Sequence, residues 1–242
     1  MEVFPGIIGI AKETKKTGLQ VVGPPNIWII KGRKLSIVDT GLKDRDGVGW
    51  ITSVLEEFGG ISNVENIIIT HNDPDHAGNL TELKRKTPAR VISYSNFVDE
   101  IDIGGASLKI IRTPGHSDND ISVFSSDGIL FTGDTVLGSL DTVTVDRKLI
   151  KKYMQSLDLL KKLDPLIIAP GHGAVVKDPK LKIQRIIDHR IRRRSQILDL
   201  YNLGIKSSEK IAQIIYPASS VILGKAQVEA HLFELKNESL IK

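Results

Sequence analysis

The stretch THNDPDHAG, Thr70 to Gly78, carries His71, Asp73, Asp75 and His76 within six residues, directly after the apolar run Ile67 to Ile69. A short buried strand that ends in a polar, glycine-flanked loop delivers side chains to a sheet edge, where a solute can reach them. Imidazole and carboxylate are ligands for zinc, iron or manganese. Turn chemistry explains one or two such residues but explains this density poorly, so the loop points to metal.

Outward from it, the arrangement recurs. Thr113-Pro114-Gly115-His116 follows the hairpin-like stretch Ser107 to Arg112, Gly133-Asp134 ends the strand Ile129 to Thr132, and Pro170-Gly171-His172-Gly173 follows Ile167 to Ala169. Four of the six histidines therefore occupy loops at strand ends, whereas His189 and His231 fall on helical stretches and read as packing or surface residues. His71, Asp73, Asp75, His76, His116, Asp134 and His172 could hold two ions that share one carboxylate. Two neighbouring ions allow a bridging hydroxide at neutral pH and stabilise the oxyanion formed when it attacks an ester, thioester, amide or phosphodiester.

The remaining pattern is α/β. Asn26 to Ile30 and Leu35 to Val38 read as strands ahead of Asp39-Thr40-Gly41, and Gly49 to Phe58 has helical spacing that stops at Gly59-Gly60. Thr81 to Lys86 and Lys148 to Lys162 read as helices, and Arg90 to Tyr94 and Ile121 to Phe124 as strands. Lys43 and Arg45 stand near the expected mouth of the site, and Leu137 to Val145 fits either a lid or a packing segment.

With 242 residues the chain can bury a sizeable core, and with no cysteine it excludes disulfides, thiolate-bound metals and thiol nucleophiles. No basic run precedes an apolar stretch at the N-terminus and no segment approaches membrane-spanning length, so the expected location is the cytoplasm, without membrane attachment. Residues 1–176 carry 20 Lys/Arg against 22 Asp/Glu, and residues 177–242 carry 13 against 7. All the basic excess lies in the tail, where Lys180 to Leu200, Ser207 to Tyr216 and Lys225 to Leu235 read as three helices. The run RIRRRS offers Arg190, Arg192, Arg193 and Arg194 either as a solvated face or as phosphate-binding candidates for RNA.

These motifs resemble the metallo-β-lactamase superfamily, whose signature His-x-His-x-Asp-His is followed by separate His, Asp and His ligands. Asp39-Thr40-Gly41, TPGHSDNDISVF from Thr113, LFTGD from Leu130 and APGHG from Ala169 complete the likeness over roughly residues 15–175. The resemblance implies an αββα four-layer sandwich of two mixed β-sheets over residues 1–176, followed by a small helical, winged-helix-like module over 177–242. It implies that His71, Asp73 and His116 hold a first metal, that Asp75, His76 and His172 hold a second, and that Asp134 bridges them. Asp75 would also orient the attacking water, and Asp39 would support the ligand loop through hydrogen bonds. Asp73 stands where the family commonly has histidine; being harder and charged, it opens the first site to iron or manganese besides zinc.

The expected function is hydrolysis of a small ester, thioester or lactone at two divalent metal ions. TPGHSDNDISVF and LFTGD look closest to glyoxalase II-like members, while the tail resembles the module of a subfamily that includes a mitochondrial endoribonuclease. An endoribonuclease or single-stranded nucleic-acid phosphodiesterase is therefore the second reading, and a non-catalytic metal-binding regulator the third. Diiron flavoproteins have a glutamate at the Asp73 position, but they need a flavodoxin module for which this chain has no room. Monomer and homodimer are both open.

Overall fold

A computed structural model of the protein describes residues 1–12, 23–44, 46–139, 142 and 148–242. Arg45 and, of the Leu137 to Val145 segment, residues 140, 141 and 143–145 lie outside the described residues. In chain order, the first part comprises β1 (Glu2–Phe4), β2 (Ile7–Ala11), β3 (Asn26–Lys31), β4 (Leu35–Val38), α1 (Gly47–Glu56), β5 (Val64–Ile68), α2 (Pro74–Ala77), α3 (Leu80–Lys86) and β6 (Arg90–Ile92). There follow β7 (Glu100–Asp102), β8 (Ser107–Arg112), β9 (Ile121–Ser125), β10 (Ile129–Gly133), α4 (Ile150–Lys162) and β11 (Ile167–Pro170). The tail is α5 (Pro179–Asn202), α6 (Ser208–Ile215) and α7 (Val221–Asn237).

One sheet runs β1-β2-β3-β4-β5-β6 and the other β11-β10-β9-β8-β7. Both are mixed: β4, β5 and β6 pair in parallel in the first and β10 with β11 in the second, the other neighbours being antiparallel. The central strands β3, β4, β5 and β10 read as continuous apolar runs because they are buried on both faces. Trp28, Ile30, Val38, Ile68, Ile129 and Phe131 meet between the sheets. Their neighbours Ile27, Ile29, Ile37 and Ile67 point the other way, onto α1 and α3. Leu130 and Ile168 face outward onto α4 and α5, which completes the four-layer αββα sandwich.

Helix α5 serves two clusters. Asp178 caps its first turn by accepting from the Leu181 amide at 3.1 Å, with Pro179 following the cap. Ile183, Ile186 and Ile187, at i, i+3 and i+4, pack against Tyr153, Leu157 and Leu160 of α4, and Ile197 further along joins α6 and α7. The expected boundary at residue 177 thus precedes a helix shared between the sandwich and the helical tail. Among the described residues no strand follows β11, so the tail is helical without a wing. Strands β1, β2 and β7 and the single turn α2 were not expected from the sequence. Among the described residues no helix is long and apolar enough to cross a membrane.

Candidate metal centre

Every expected ligand follows the C-terminal end of a strand. His71 and Asp73 lie just past β5, Asp75 and His76 on α2, His116 past β8, Asp134 past β10 and His172 past β11. The structure brings all seven together. His71, His116 and Asp134 each offer an atom within 4.8 Å of the others, and Asp75, His76 and His172 do the same. Asp73 adjoins the first group, its Oδ2 lying 3.1 Å from His116 Nε2 and 3.6 Å from His71 Nε2. Asp134 stands between the groups, with Oδ1 3.3 Å from His76 Nε2 and Oδ2 3.7 Å from His172 Nε2. Asp75 Oδ2 is 3.3 Å from His172 Nε2. Asp73 occupies the N-cap position of α2, yet its side chain makes no capping bond and turns to the imidazoles instead.

Hydrogen bonding on the far side of three rings presents Nε2 to the site. The Thr70 hydroxyl has one proton, which goes to the Asp39 carboxylate at 2.8 Å; it can therefore only accept from His71 Nδ1 at 3.0 Å. His76 Nδ1 donates to Asp39 Oδ2 at 2.8 Å, and His172 Nδ1 to the Gly23 carbonyl at 3.0 Å. Each Nε2 is left with a lone pair, the tautomer that a metal ion requires. His71 Nε2 and Asp134 Oδ1 are buried with no hydrogen-bond partner among the described residues, which is costly unless something else satisfies them. Donor set, tautomers and orphaned atoms fit divalent ions.

The electrostatics agree. The imidazole Nε2 groups face the carboxylates directly: that of His116 and then that of His71 hold the Asp73 carboxyl far below the usual carboxylate range, and that of His172 lowers Asp75 in the same way. Burial works to raise Asp134, but His76 and the surrounding imidazoles hold it down to about 2. Burial works to lower His76, and the charges of Asp39 and Asp134 override it and push the ring well above its ordinary value. The carboxylates therefore stabilise positive charge in their midst, which is what holding a cation demands.

Asp39 and Thr40 brace the ligand loop. Asp39 is 1% exposed and sits at φ 63°, a left-handed conformation that Asp and Asn tolerate better than most residues. Its carboxylate also accepts from the Thr70 amide at 2.8 Å. The Thr40 amide and hydroxyl both donate to the His76 carbonyl, at 2.7 and 2.9 Å.

Several supporting residues escaped the sequence reading. Asn26 Nδ2 and Trp28 Nε1 each donate to the Pro170 carbonyl at 3.0 Å, and Asn26 Nδ2 reaches the Gly173 carbonyl at 2.9 Å, so β3 fixes the His172 loop. Asp120, buried and with its pKa raised by that burial, closes the His116 loop by accepting from the Ser117 amide at 2.8 Å. The Ser-x-x-Asp spacing within TPGHSDND was the signal for it. Trp28 and Tyr153 are both buried, and the Tyr153 hydroxyl donates to the Thr135 carbonyl at 3.0 Å.

The four arginines do not form one face. Successive residues on a helix are about 100° apart, so Arg193 and Arg194 flank the side of α5 that carries Arg190 and Arg192 lies on the opposite one. Arg190 is 6% exposed and engages Gln227 and the Thr142 carbonyl, which removes it as a phosphate-binding candidate. Arg194 pairs with Glu234 at 3.4 Å and with Glu238. Arg193 lies 4.8 Å over the Tyr216 ring, and Arg192 is exposed. His231 is buried beside Glu234 and lies outside both ligand groups.

Comparison with known proteins converges on the same loops. The Metallo-beta-lactamase superfamily model matches residues 21–98 and 94–172. A Caenorhabditis elegans protein described as a Beta-lactamase-like protein 2 homolog is 32% identical over 202 residues, covering 76% of this chain and 65% of the nematode protein. An Aspergillus fumigatus Atrochrysone carboxyl ACP thioesterase is 35% identical over 149 residues, covering 56% of this chain and 46% of the fungal one. The chain thus spans less than two thirds of either relative. The crystal structure of a metallo-beta-lactamase family protein from Thermus thermophilus has the same fold, with a TM-score of 0.80 at 18% identity over 100% of this chain and 96% of that one. Since the family model spans all four ligand-bearing loops of the sandwich, the chain belongs to the metallo-β-lactamase superfamily.

Proposed function

We propose that the protein is a metal-dependent hydrolase with a dinuclear centre, acting on a small ester, thioester or lactone. The observation that carries this is the convergence of seven ligand-capable side chains from four loops, with two groups each spanning no more than 4.8 Å. Zinc is the first metal to consider, and the hard Asp73 carboxylate extends the choice to iron or manganese. Bound there, two such ions would supply a hydroxide at neutral pH and Lewis-acid stabilisation of the developing oxyanion.

The chain's own residues do the rest. Asp39 holds His76 and, through Thr70, His71 in the ligating tautomer. Asp75, whose side chain is 28% exposed, would orient an attacking water besides holding metal. A thiolate with a conjugate pKa of about 8.5 departs without a strong general acid, which suits a site whose titratable groups serve as ligands. The thioesterase named among the relatives supports thioesters as the leading class.

Cleavage of RNA at the same centre is the second reading, supported by the tail's 13 Lys/Arg against 7 Asp/Glu. The inward-turned Arg190 and the paired Arg194 weaken it. Metal-reconstituted protein assayed on thioesters, lactones and a labelled RNA pool separates these readings. Thioester or lactone turnover that disappears in Asp75→Asn supports the first. RNA cleavage lost in that variant, without small-molecule turnover, replaces it with the second, and two bound metals with no turnover on any substrate favour a regulatory role.

A further inference from the structure

We infer that Arg190, on the first helix of the tail, is a positioning residue for the metal centre, acting through Thr142 on the main chain of Asp134. This rests on the reading of Asp134 as a ligand shared between two ions. The carboxylate of Asp134 can be aimed only if the backbone behind it is fixed, and the Asp134 and Thr135 carbonyls need buried donors. The Thr142 hydroxyl donates to the Asp134 carbonyl and lies 3.4 Å from that of Thr135. The Tyr153 hydroxyl donates to the Thr135 carbonyl at 3.0 Å.

Arg190 touches both of these donors. One guanidinium nitrogen donates to the Thr142 carbonyl, and the group lies 5.3 Å from the centre of the Tyr153 ring. Its other terminal nitrogen donates to Gln227 Oε1, so α7 sets its orientation. Arg190, Thr142, Tyr153 and Gln227 are all buried.

A buried guanidinium is expensive, and among the described residues no carboxylate forms an ion pair with it. Packing alone would be served as well by an apolar side chain. What a guanidinium adds is a planar pair of diverging donors, which neither an apolar residue nor lysine reproduces. Here the two donors join α7 to the loop behind Asp134. The tail helices are thereby part of the metal site's frame, although none of their side chains belongs to either ligand group.

The test uses the full chain, with zinc affinity measured by calorimetry and the visible spectrum of cobalt-substituted protein as a report on coordination. Thr142→Val deletes only the hydroxyl and leaves the carbonyl that Arg190 contacts; Arg190→Lys keeps the charge and loses the fork. Expected are zinc affinities about 10- to 100-fold weaker in each, altered cobalt spectra, and a double variant no weaker than the worse single one. A merely structural role would lower the Tm of the metal-free variants while leaving zinc affinity and cobalt spectra unchanged, and that result overturns the inference. Should Arg190→Lys fail to fold, Thr142→Val decides by itself. Asp134→Ala distinguishes the two levels: if it too binds zinc like the parent, the ligand reading fails, whereas zinc lost there and retained in Thr142→Val refutes only the positioning role.

Discussion

Asp39→Asn isolates what the buried carboxylate does. Asn has nearly the same shape and tolerates the φ of 63° at this position, so the backbone has no reason to move. The carboxylate accepts from the Thr70 amide, the Thr70 hydroxyl and His76 Nδ1, all at 2.8 Å. An amide offers one acceptor oxygen, and its NH2 must face a partner that can accept. If the NH2 faces His76, the ring shifts its proton to Nε2, and that nitrogen can no longer ligate an ion. If it faces Thr70, the hydroxyl reverses and the constraint on His71 is lost. Either way one ligand is in the wrong tautomer. Weakened charge-assisted bonds cost about 2 kcal/mol in stability, or about 4–8 °C in Tm for a chain of this size. The larger effect is on metal, where losing such an outer hydrogen bond weakens affinity about 10- to 100-fold. Isothermal calorimetry with zinc, beside thermal unfolding of the metal-free protein, measures both. Undiminished zinc affinity in a folded Asp39→Asn protein would refute the tautomer reasoning.

Other perturbations follow from the same geometry. A Cβ at Gly171 would lie 2.4 Å from Asp134 Oδ1 and 2.7 Å from His76 Cε1, so Gly171→Ala should cost about 1–3 kcal/mol and displace a ligand; full metal content by elemental analysis contradicts this. Asp73→His exchanges a hard ligand for a borderline one and should shift selectivity from manganese or iron toward zinc in a competition experiment, while unchanged selectivity in both Asp73→His and Asp73→Ala removes Asp73 from the ligand set. The pH dependence has a defined sign. His76, raised well above 6.5, contributes stability that is fully present below 6.5 and lost as pH rises through its elevated value. A metal ion needs the same Nε2 deprotonated, so the zinc-induced rise in Tm should grow as pH climbs from below 6.5 through that elevated value. A rise independent of pH would show that His76 is not a ligand.

The loops that converge on the candidate site were legible because their chemistry is local. A buried strand, a glycine or proline and a histidine or aspartate are neighbours in sequence, as in Pro170-Gly171-His172 or Gly133-Asp134. The strands β1 and β2 were missed although Pro5-Gly6 between Phe4 and Ile7 is a turn signal and Gly6 takes a φ of 76°. Three residues of β1 at a sheet edge, and three of β7 flanked by acidic side chains, give too little periodicity to register. The braces were illegible for a different reason. Trp28 meets Pro170 across 142 positions, and Arg190 meets Thr142 across 48. Which face of α5 is buried depends on α4 and α7, so a run of arginines could not reveal that one of them turns inward.

Each ligand loop has its own brace: Asp39 and Thr70 for His71 and His76, Asp120 for His116, Asn26 and Trp28 for His172, and Thr142 with Tyr153 for Asp134, of which Asp39, Asn26, Trp28 and Tyr153 come from other elements than the loops they hold. Only the packed sandwich brings these elements together. In the unfolded chain just His71, Asp73, Asp75 and His76 remain near one another, while His116, Asp134 and His172 are scattered along the sequence. An ion held by these groups would therefore bind the native state far better than the unfolded one, and its binding free energy would become folding free energy. At a free concentration 100 times its dissociation constant a single ion adds about 2.7 kcal/mol. The reciprocal also holds: a substitution that loosens any brace lowers metal affinity without touching an ion. Stability and metal content should consequently fall together for brace variants, whereas removing a ligand outright should lower metal content with little loss of metal-free stability when its bonds to the fold are few, as for the half-exposed Asp73.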